Sequence, residues 1–274
     1  MSVVLSYVIS LIVCGLCERG CDKSATFDFI CKNSPFMDNS IENQEEESKS
    51  GHGLRVAVRI VLIAIAACLL VAIVWVTVYK FLPVTNTMFM RAQAGKHNVS
   101  VTQKWVPLSQ ISPNLALAVV ASEDNLFTQH SGFSWDDIKR AMEHNQKKRR
   151  VHGGSTISQQ VAKNVFLWNG RSWFRKGLEA GFTVLIELIW GKERIMEVYL
   201  NVVELAPGVY GAEAASQKFF GHSAKRLSRE EAALMAAVLP NPARMKLARP
   251  SEYVYKRQGQ ILGVMEKIGR VKYE

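Results

Sequence analysis

Two adjacent carboxylates close an apolar run in the stretch Val119-Val120-Ala121-Ser122-Glu123-Asp124-Asn125-Leu126-Phe127-Thr128-Gln129-His130-Ser131-Gly132. If the helix that this run begins continues, Glu123, Phe127 and His130 stand at i, i+4 and i+7 and share one face, while Asp124 points about 100° away. A carboxylate held beside an aromatic at the end of a buried helix is desolvated. That raises its pKa towards the range of a general acid or base. Some twenty residues on, His152-Gly153-Gly154-Ser155-Thr156-Ile157-Ser158-Gln159-Gln160 reads as a glycine loop entering a helix, whose free N–H groups suit an anion. Gln160 and Lys163 lie one turn apart there, so the lysine can reach an anion near the loop. Further on, Arg175 and Glu179 are spaced i, i+4, and Glu179, Thr183 and Glu187 repeat that spacing. Each piece also has a plain structural reading: a solvated helix end, a capped helix, a salt-bridged stripe. The apolar neighbours Phe182, Leu185, Ile186 and Leu188 leave little of the last helix wet, which favours function for its acids.

The elements that must position these residues are mainly helical. Ser112-Pro113 starts a helix with proline at its first turn. Trp135 to Arg150 reads as a second helix ending in Lys147-Lys148-Arg149-Arg150, a basic run suited to phosphate or anionic lipid. Thr156 and Gln159 have capping-box spacing at the head of a helix to about Leu167. Helices follow over Arg171–Gly191, Lys192–Asn201, Ala212–Phe220, Ser228–Leu239 (Ser228 and Glu231 again at capping-box spacing, with Pro240-Asn241-Pro242 as the stop) and Ser251–Ile268. Strand signals are sparse, with short strands expected only around Val99–Val106. The fold class is mainly α.

Ile60 to Tyr79 is twenty residues without a charge, flanked by Arg55, Arg59 and Lys80. At helical rise it spans roughly 30 Å and reads as a transmembrane helix, with Trp75 and Tyr79 suited to the far interface. The expected organisation is a polar, acidic N-terminal segment over 1–55, a membrane helix over 56–80, a connector over 81–112 and a catalytic domain over 113–274. The net charge is +10 from 34 Lys+Arg and 24 Asp+Glu, yet residues 1–50 carry −4, leaving +14 on the remainder. A basic body suits an anionic membrane surface or a phosphorylated substrate. Nucleic acid is disfavoured, because no zinc, helix-turn-helix or aromatic-basic signature accompanies the charge. The five cysteines are Cys14, Cys17, Cys21, Cys31 and Cys68. None falls in the catalytic stretch, so thiol nucleophiles and cysteine metal sites are excluded there.

Taken in order, Glu-Asp-x-x-Phe-x-x-His-x-Gly from Glu123 and Gly-Gly-Ser-Thr-Ile-x-Gln-Gln from Gly153 resemble the first two signatures of the family 51 glycosyltransferases. These are the peptidoglycan polymerases of bacterial cell walls. Arg175-Lys176-x-x-Glu179 with Glu187 resembles the third signature and Lys192-x-x-Ile195-x-Glu197-x-Tyr199-x-Asn201 the fourth. Tyr255-Lys256-Arg257 with Ile261-Leu262 is a looser likeness of the fifth. The resemblance covers roughly residues 105–265 and leaves no room for the penicillin-binding transpeptidase domain of two-domain relatives, so a monofunctional enzyme is expected.

The resemblance implies a lysozyme-like α domain with a smaller membrane-facing lobe, anchored in the bacterial inner membrane by one pass with the catalytic domain on the periplasmic side. It implies polymerisation of lipid II onto the nascent glycan strand, with inversion and release of undecaprenyl diphosphate. By the same likeness Glu123 is the base that deprotonates the acceptor and Glu179 the second essential acid. Lys163, Arg175 and the helix start at Gly153–Thr156, including Gly154, Ser155 and Thr156, would receive the diphosphate. Asp124, Phe127, His130, Gln160, Lys176 and Glu187 would complete the substrate site. No cofactor is required and no residue set specifies a metal, although a divalent cation could bridge the diphosphate. Other cell-wall synthesis proteins are expected as partners. Two other classes stay open: a lysozyme-like enzyme that cleaves glycan, which would not need the cationic set, and a non-catalytic membrane scaffold.

Overall fold

The computed structural model describes residues 38–134, 155–170 and 172–273, with side chains described from residue 55 onward. The helix expected at Trp135–Arg150, its basic end, Gly153 and Gly154 lie outside the described residues. The chain divides into two units, residues 1–65 and 66–274. Of the first, the structure describes helix from Asp38 onward, the start of α1 (Asp38–Phe81). Its stretch Arg55–Phe81 is 27 residues long and holds an 18-residue window of mean hydropathy 3.0, long and apolar enough to cross a membrane. The helix stops before Pro83, whose ring and missing N–H cannot continue it.

In the second unit, α1 ends as part of the fold. Val76 is fully buried. Trp75 packs edge-on to Phe166 at 5.2 Å and to Phe182 at 6.2 Å, and Tyr79 lies 6.1 Å from Phe166. The two aromatics expected at a lipid interface are thus packed on protein rings. The Trp190 indole N–H donates to the Val76 carbonyl at 2.7 Å. Arg194 donates to the carbonyls of Tyr79 (2.8 Å) and Leu82 (2.6 Å), satisfying orphan acceptors at the helix end with a cation.

The connector contains an element that its polar sequence hid. Thr87 caps α2 (Met88–Lys96) by accepting from the Met90 amide, and Met90 and Ala94 are buried. After β1 (Thr102–Gln103), Ser112 caps α3 (Pro113–Glu123) with Pro113 at its first turn. Leu115 through Ala121 are apolar on every side of α3, and all are buried. Such a helix belongs at the centre. It packs against α8 (Arg229–Val238) and α9 (Glu252–Ile268). A second layer is α4 (Ile157–Phe166) against α5 (Trp173–Ile189), α6 (Gly191–Val202) and α2.

Both expected capping boxes form, Thr156 with Gln159 on α4 and Ser228 with Glu231 on α8. Gly191, at φ +77°, breaks α5 from α6. Three short strands make one small sheet in the order β1-β3-β2, with β2 (Glu204–Ala206) antiparallel and β1 parallel to β3 (Val209–Tyr210); α7 (Ala212–Phe220) follows. Asn201 joins this edge to α6: its side chain accepts from the Val106 amide at 3.0 Å and donates to the Val106 carbonyl at 2.9 Å.

Candidate active site

The helix carrying Glu123 ends at that residue. Asp124 has φ −162° and ψ 79°, outside the helical region, and the chain then turns with Phe127 N–H donating to the Asp124 carbonyl at 3.1 Å. The shared helical face expected for Glu123, Phe127 and His130 therefore does not exist. A loop disposes them instead. The physical cause lies in Asp124, expected to point about 100° away from Glu123 and to line the substrate site. Its carboxylate is buried and accepts from the Ile157 amide at 3.0 Å, while His130 Nε2 lies 2.9 Å from its other oxygen. His130 Nδ1 accepts from the Gly132 amide at 3.2 Å, so the ring is the Nε2–H tautomer donating to Asp124. Both ring nitrogens are committed to holding the loop.

This loop is locked from behind. The Thr156 hydroxyl donates to the Gly132 carbonyl at 2.7 Å. Gly132 has φ +89°, and a Cβ there would come within 2.8 Å of Thr183 Cγ2. Phe127 is fully buried with the Lys192 ammonium 4.6 Å from its ring centre. Lys192 in turn bonds Glu187 at 2.8 Å, and Glu187 accepts from the Ser158 hydroxyl at 2.5 Å. Glu187, expected to bind substrate, is spent on this brace. At the helix start expected to supply N–H donors to an anion, two amides have partners inside the protein: that of Thr156 donates to Gln159 at 3.1 Å and that of Ile157 to Asp124.

Glu123 itself faces a different set. Its side chain is 15% exposed, and Arg257 Nη2 of α9 stands 3.9 Å from Oε1. Gln160 Nε2 of α4 donates to Oε2 at 3.0 Å. Burial raises the Glu123 pKa above its ordinary value; the Gln160 hydrogen bond, then Arg257, oppose that rise, and the neighbouring Asp124 charge adds to it. The net direction is the one that makes a carboxylate a better proton acceptor.

Beyond Gln160 on the same helix, Lys163 lies within electrostatic reach of both Glu123 and Glu179. Its pKa is lowered, first by burial and then by Arg175 and Lys176, against the pull of the two acids. Glu179 is buried, bonded to Arg175 Nη1 at 2.9 Å and to the Lys176 ammonium. A cavity of about 260 Å³ opens beside this group, lined by Lys163 and Arg175 together with Phe89, Gln93 and Lys96 of α2 and by Trp168. The Lys163 ammonium sits 5.2 Å from the Phe89 ring centre, and Asn169 donates to Gln93 at 2.5 Å, so α2 forms one wall. A second cavity, about 430 Å³ between the start of α3 and residues 269–273, has Arg270 as the one lysine or arginine in its lining. We place the chemistry at the smaller one, which has Lys96, Lys163 and Arg175 and lies beside the Glu179 ion pairs.

The structure thus brings Glu123, Gln160, Lys163, Arg175, Lys176 and Glu179 together, and puts Asp124, Phe127, His130, Thr156 and Glu187 in the supporting frame. Ser155, half-buried, immediately precedes that frame. Sequence reasoning left out Arg257, Tyr199, Lys192, Phe89 and Lys96. Arg257, Tyr199 and Lys192 carried a signal, as members of two of the motifs; Phe89 and Lys96 carried none. Among the described residues no group of three or more His, Cys, Asp or Glu could hold a metal ion.

A family model described as Transglycosylase matches residues 91–266, which takes in most of α2 and, Phe89 apart, all the site residues. The biosynthetic peptidoglycan transglycosylase of Bdellovibrio bacteriovorus is 54% identical over 193 residues, covering 69% of this chain and 77% of that protein. The protein of the same name from Pasteurella multocida is 49% identical over 201 residues, covering 71% and 82%. That of Caulobacter vibrioides is 47% identical over 214 residues, covering 77% and 92%. The match covers well over half of the sequence, and the chain belongs to the transglycosylase family of glycosyltransferases.

Proposed function

We propose that this enzyme polymerises peptidoglycan glycan strands by transferring the growing chain from its undecaprenyl diphosphate carrier to lipid II. The observation that carries this reading is the adjacency of one buried carboxylate, Glu123, to a set of cations: Lys163, Arg175 and Lys176. Glu123 takes the proton from the acceptor sugar hydroxyl as that oxygen attacks the anomeric carbon. The bond to the diphosphate breaks, and the charge that develops on the leaving group is met by Lys163 and Arg175. Glu179 holds Arg175 and Lys176 in place for that task. A divalent cation, if used, enters with the diphosphate.

The site sits next to a surface fit for a lipid carrier. Trp173 (93% exposed), Phe174, Val184 and Leu188 form an outward apolar face on α5. Phe182 of the same helix packs against Trp75 near the end of α1. A bilayer crossed by α1 can therefore receive α5 as well. This favours a lobe resting on the outer face of the inner membrane, with the catalytic domain periplasmic. Other wall-synthesis proteins are expected as partners there.

The test gives detergent-purified protein labelled lipid II and, in parallel, finished glycan strands. Long lysozyme-sensitive glycan from lipid II, with strands untouched, is the expected result. Shortened strands with lipid II unused would move the enzyme to the cleaving class. Neither activity in folded protein would leave a scaffold.

A further inference from the structure

We infer that Tyr199 is a positioning residue for the general base, its hydroxyl fixing the Gln160 amide in the one orientation that presents an N–H to Glu123. This rests on the reading of Glu123 as the base. Tyr199 lies on α6 and is fully buried, so its hydroxyl must find a partner inside the protein. The acceptor that it has is Gln160 Oε1, at 3.4 Å. The other end of that amide, Nε2, donates to Glu123 Oε2 at 3.0 Å. A side-chain amide is nearly symmetric in shape, and its orientation follows from what each end meets.

A phenol hydroxyl donates. Burial, reinforced by the negative charges of Glu123 and Asp124, keeps Tyr199 protonated well beyond the ordinary range of a tyrosine. With Oε1 held by that donor, Nε2 is the end left for the carboxylate, and an ionised Glu123 is the form it stabilises. With the donor gone, the amide turns over at no cost to Oε1. It then sets a carbonyl oxygen against Glu123, an arrangement stable only when Glu123 carries a proton. A protonated Glu123 is not a base. At 3.4 Å the Tyr199 bond is long and weak, so its role is to choose between two orientations rather than to stabilise the fold.

The other groups that face Glu123 are Arg257 from α9, Lys163 from α4 and Asp124 from the following loop. Tyr199→Phe leaves all of them in place and preserves the packed ring. A change in the titration of Glu123 would then come through the amide.

The experiment measures kcat/KM for lipid II across pH in the full-length protein for wild type, Tyr199→Phe, Gln160→Leu and the double variant, with Glu123→Gln alongside. Tyr199→Phe is expected to move the acidic limb up by about one pH unit, roughly a tenfold loss on that limb, while the plateau stays within about twofold. In the Gln160→Leu background the same change is expected to add no shift, because the amide it orients is absent. An unmoved limb in Tyr199→Phe, or a uniform fall at every pH, would overturn the inference. So would an equal shift in both backgrounds, which would mean that Tyr199 acts through packing. Should Glu123→Gln keep its activity, the base assignment itself fails, and that result is distinct from the others.

Discussion

Asp124 closes the N-terminus of a helix that begins 33 residues later, its Oδ2 accepting the Ile157 amide hydrogen at 3.0 Å. The same carboxylate holds His130, so one buried acid ties the loop after Glu123 to the head of the helix that carries Gln160 and Lys163. Asp124→Ala strips a charge from a helix N-terminus and leaves a buried N–H and an imidazole without their acceptor. The expected loss is about 2–3 kcal/mol, seen as a fall in melting temperature of roughly 5–10 °C. Asp124→Asn, which keeps volume and one acceptor oxygen, should fall by about half as much. Thermal unfolding in detergent checks both.

Glu123→Gln should lose activity by at least about a hundredfold and yet be more stable than wild type at neutral pH. The sign follows from linkage. Burial raises the folded-state pKa of Glu123 above its ordinary 4.5, so between the two values the folded state binds the proton more tightly. Stability therefore falls as pH rises through that window, and the deficit persists above it. Glutamine carries no charge and escapes it. The stabilisation should be on the order of 1 kcal/mol near pH 7 and should vanish as pH drops below the ordinary glutamate value. Paired melting curves at several pH values decide the point.

Lys163 titrates in the opposite sense. Its lowered pKa means that the ammonium loses its proton at a lower pH than a free lysine would, so activity should decline early on the alkaline side. Arginine cannot be deprotonated in this range. Lys163→Arg is expected to keep measurable activity and to extend the alkaline limb upward, whereas Lys163→Met should cost roughly 10–100-fold in kcat/KM. A pH–rate profile of the three proteins is the measurement.

Gly132→Ala meets two obstacles at one position, a φ of +89° and Thr183 Cγ2 within 2.8 Å of the new carbon. The expected cost is roughly 2 kcal/mol. Because the Gly132 carbonyl also receives the Thr156 hydroxyl, activity should fall with stability. Melting temperature and single-turnover rate, measured together, would show whether both move.

What could be read from the sequence was what depends on near neighbours. Ser112-Pro113, Thr156 with Gln159, and Ser228 with Glu231 announce helix starts because the capping partners lie within three residues. The membrane-length run of α1 was plain for the same reason. The end of α3 at Glu123 was not, because apolar periodicity continues into Leu126 and Phe127 while the helix is broken by what Asp124 binds far along the chain. Arg257 approaches Glu123 from the last helix, and Tyr199 reaches Gln160 across 39 positions, relationships that no local spacing reveals. The α2 helix was hidden by its short length and polar surface, with Thr87 as the only signal. Glu187 and Glu179 look alike in spacing, and only packing separates an acid that bonds Ser158 from one that holds Arg175.

The end of α1 is gripped at three carbonyls, those of Val76, Tyr79 and Leu82, by the side chains of Trp190 and Arg194. A spanning helix on a slack tether would let the enzyme ride at any height and turn to any heading. Here there is no slack: the last turns of α1 are clamped to the body, so their phase and length are fixed by the side chains that hold them. Adding or removing one residue there would rotate everything beyond it by about 100° and shift it by about 1.5 Å along the axis. Either the grip or the alignment would then have to give.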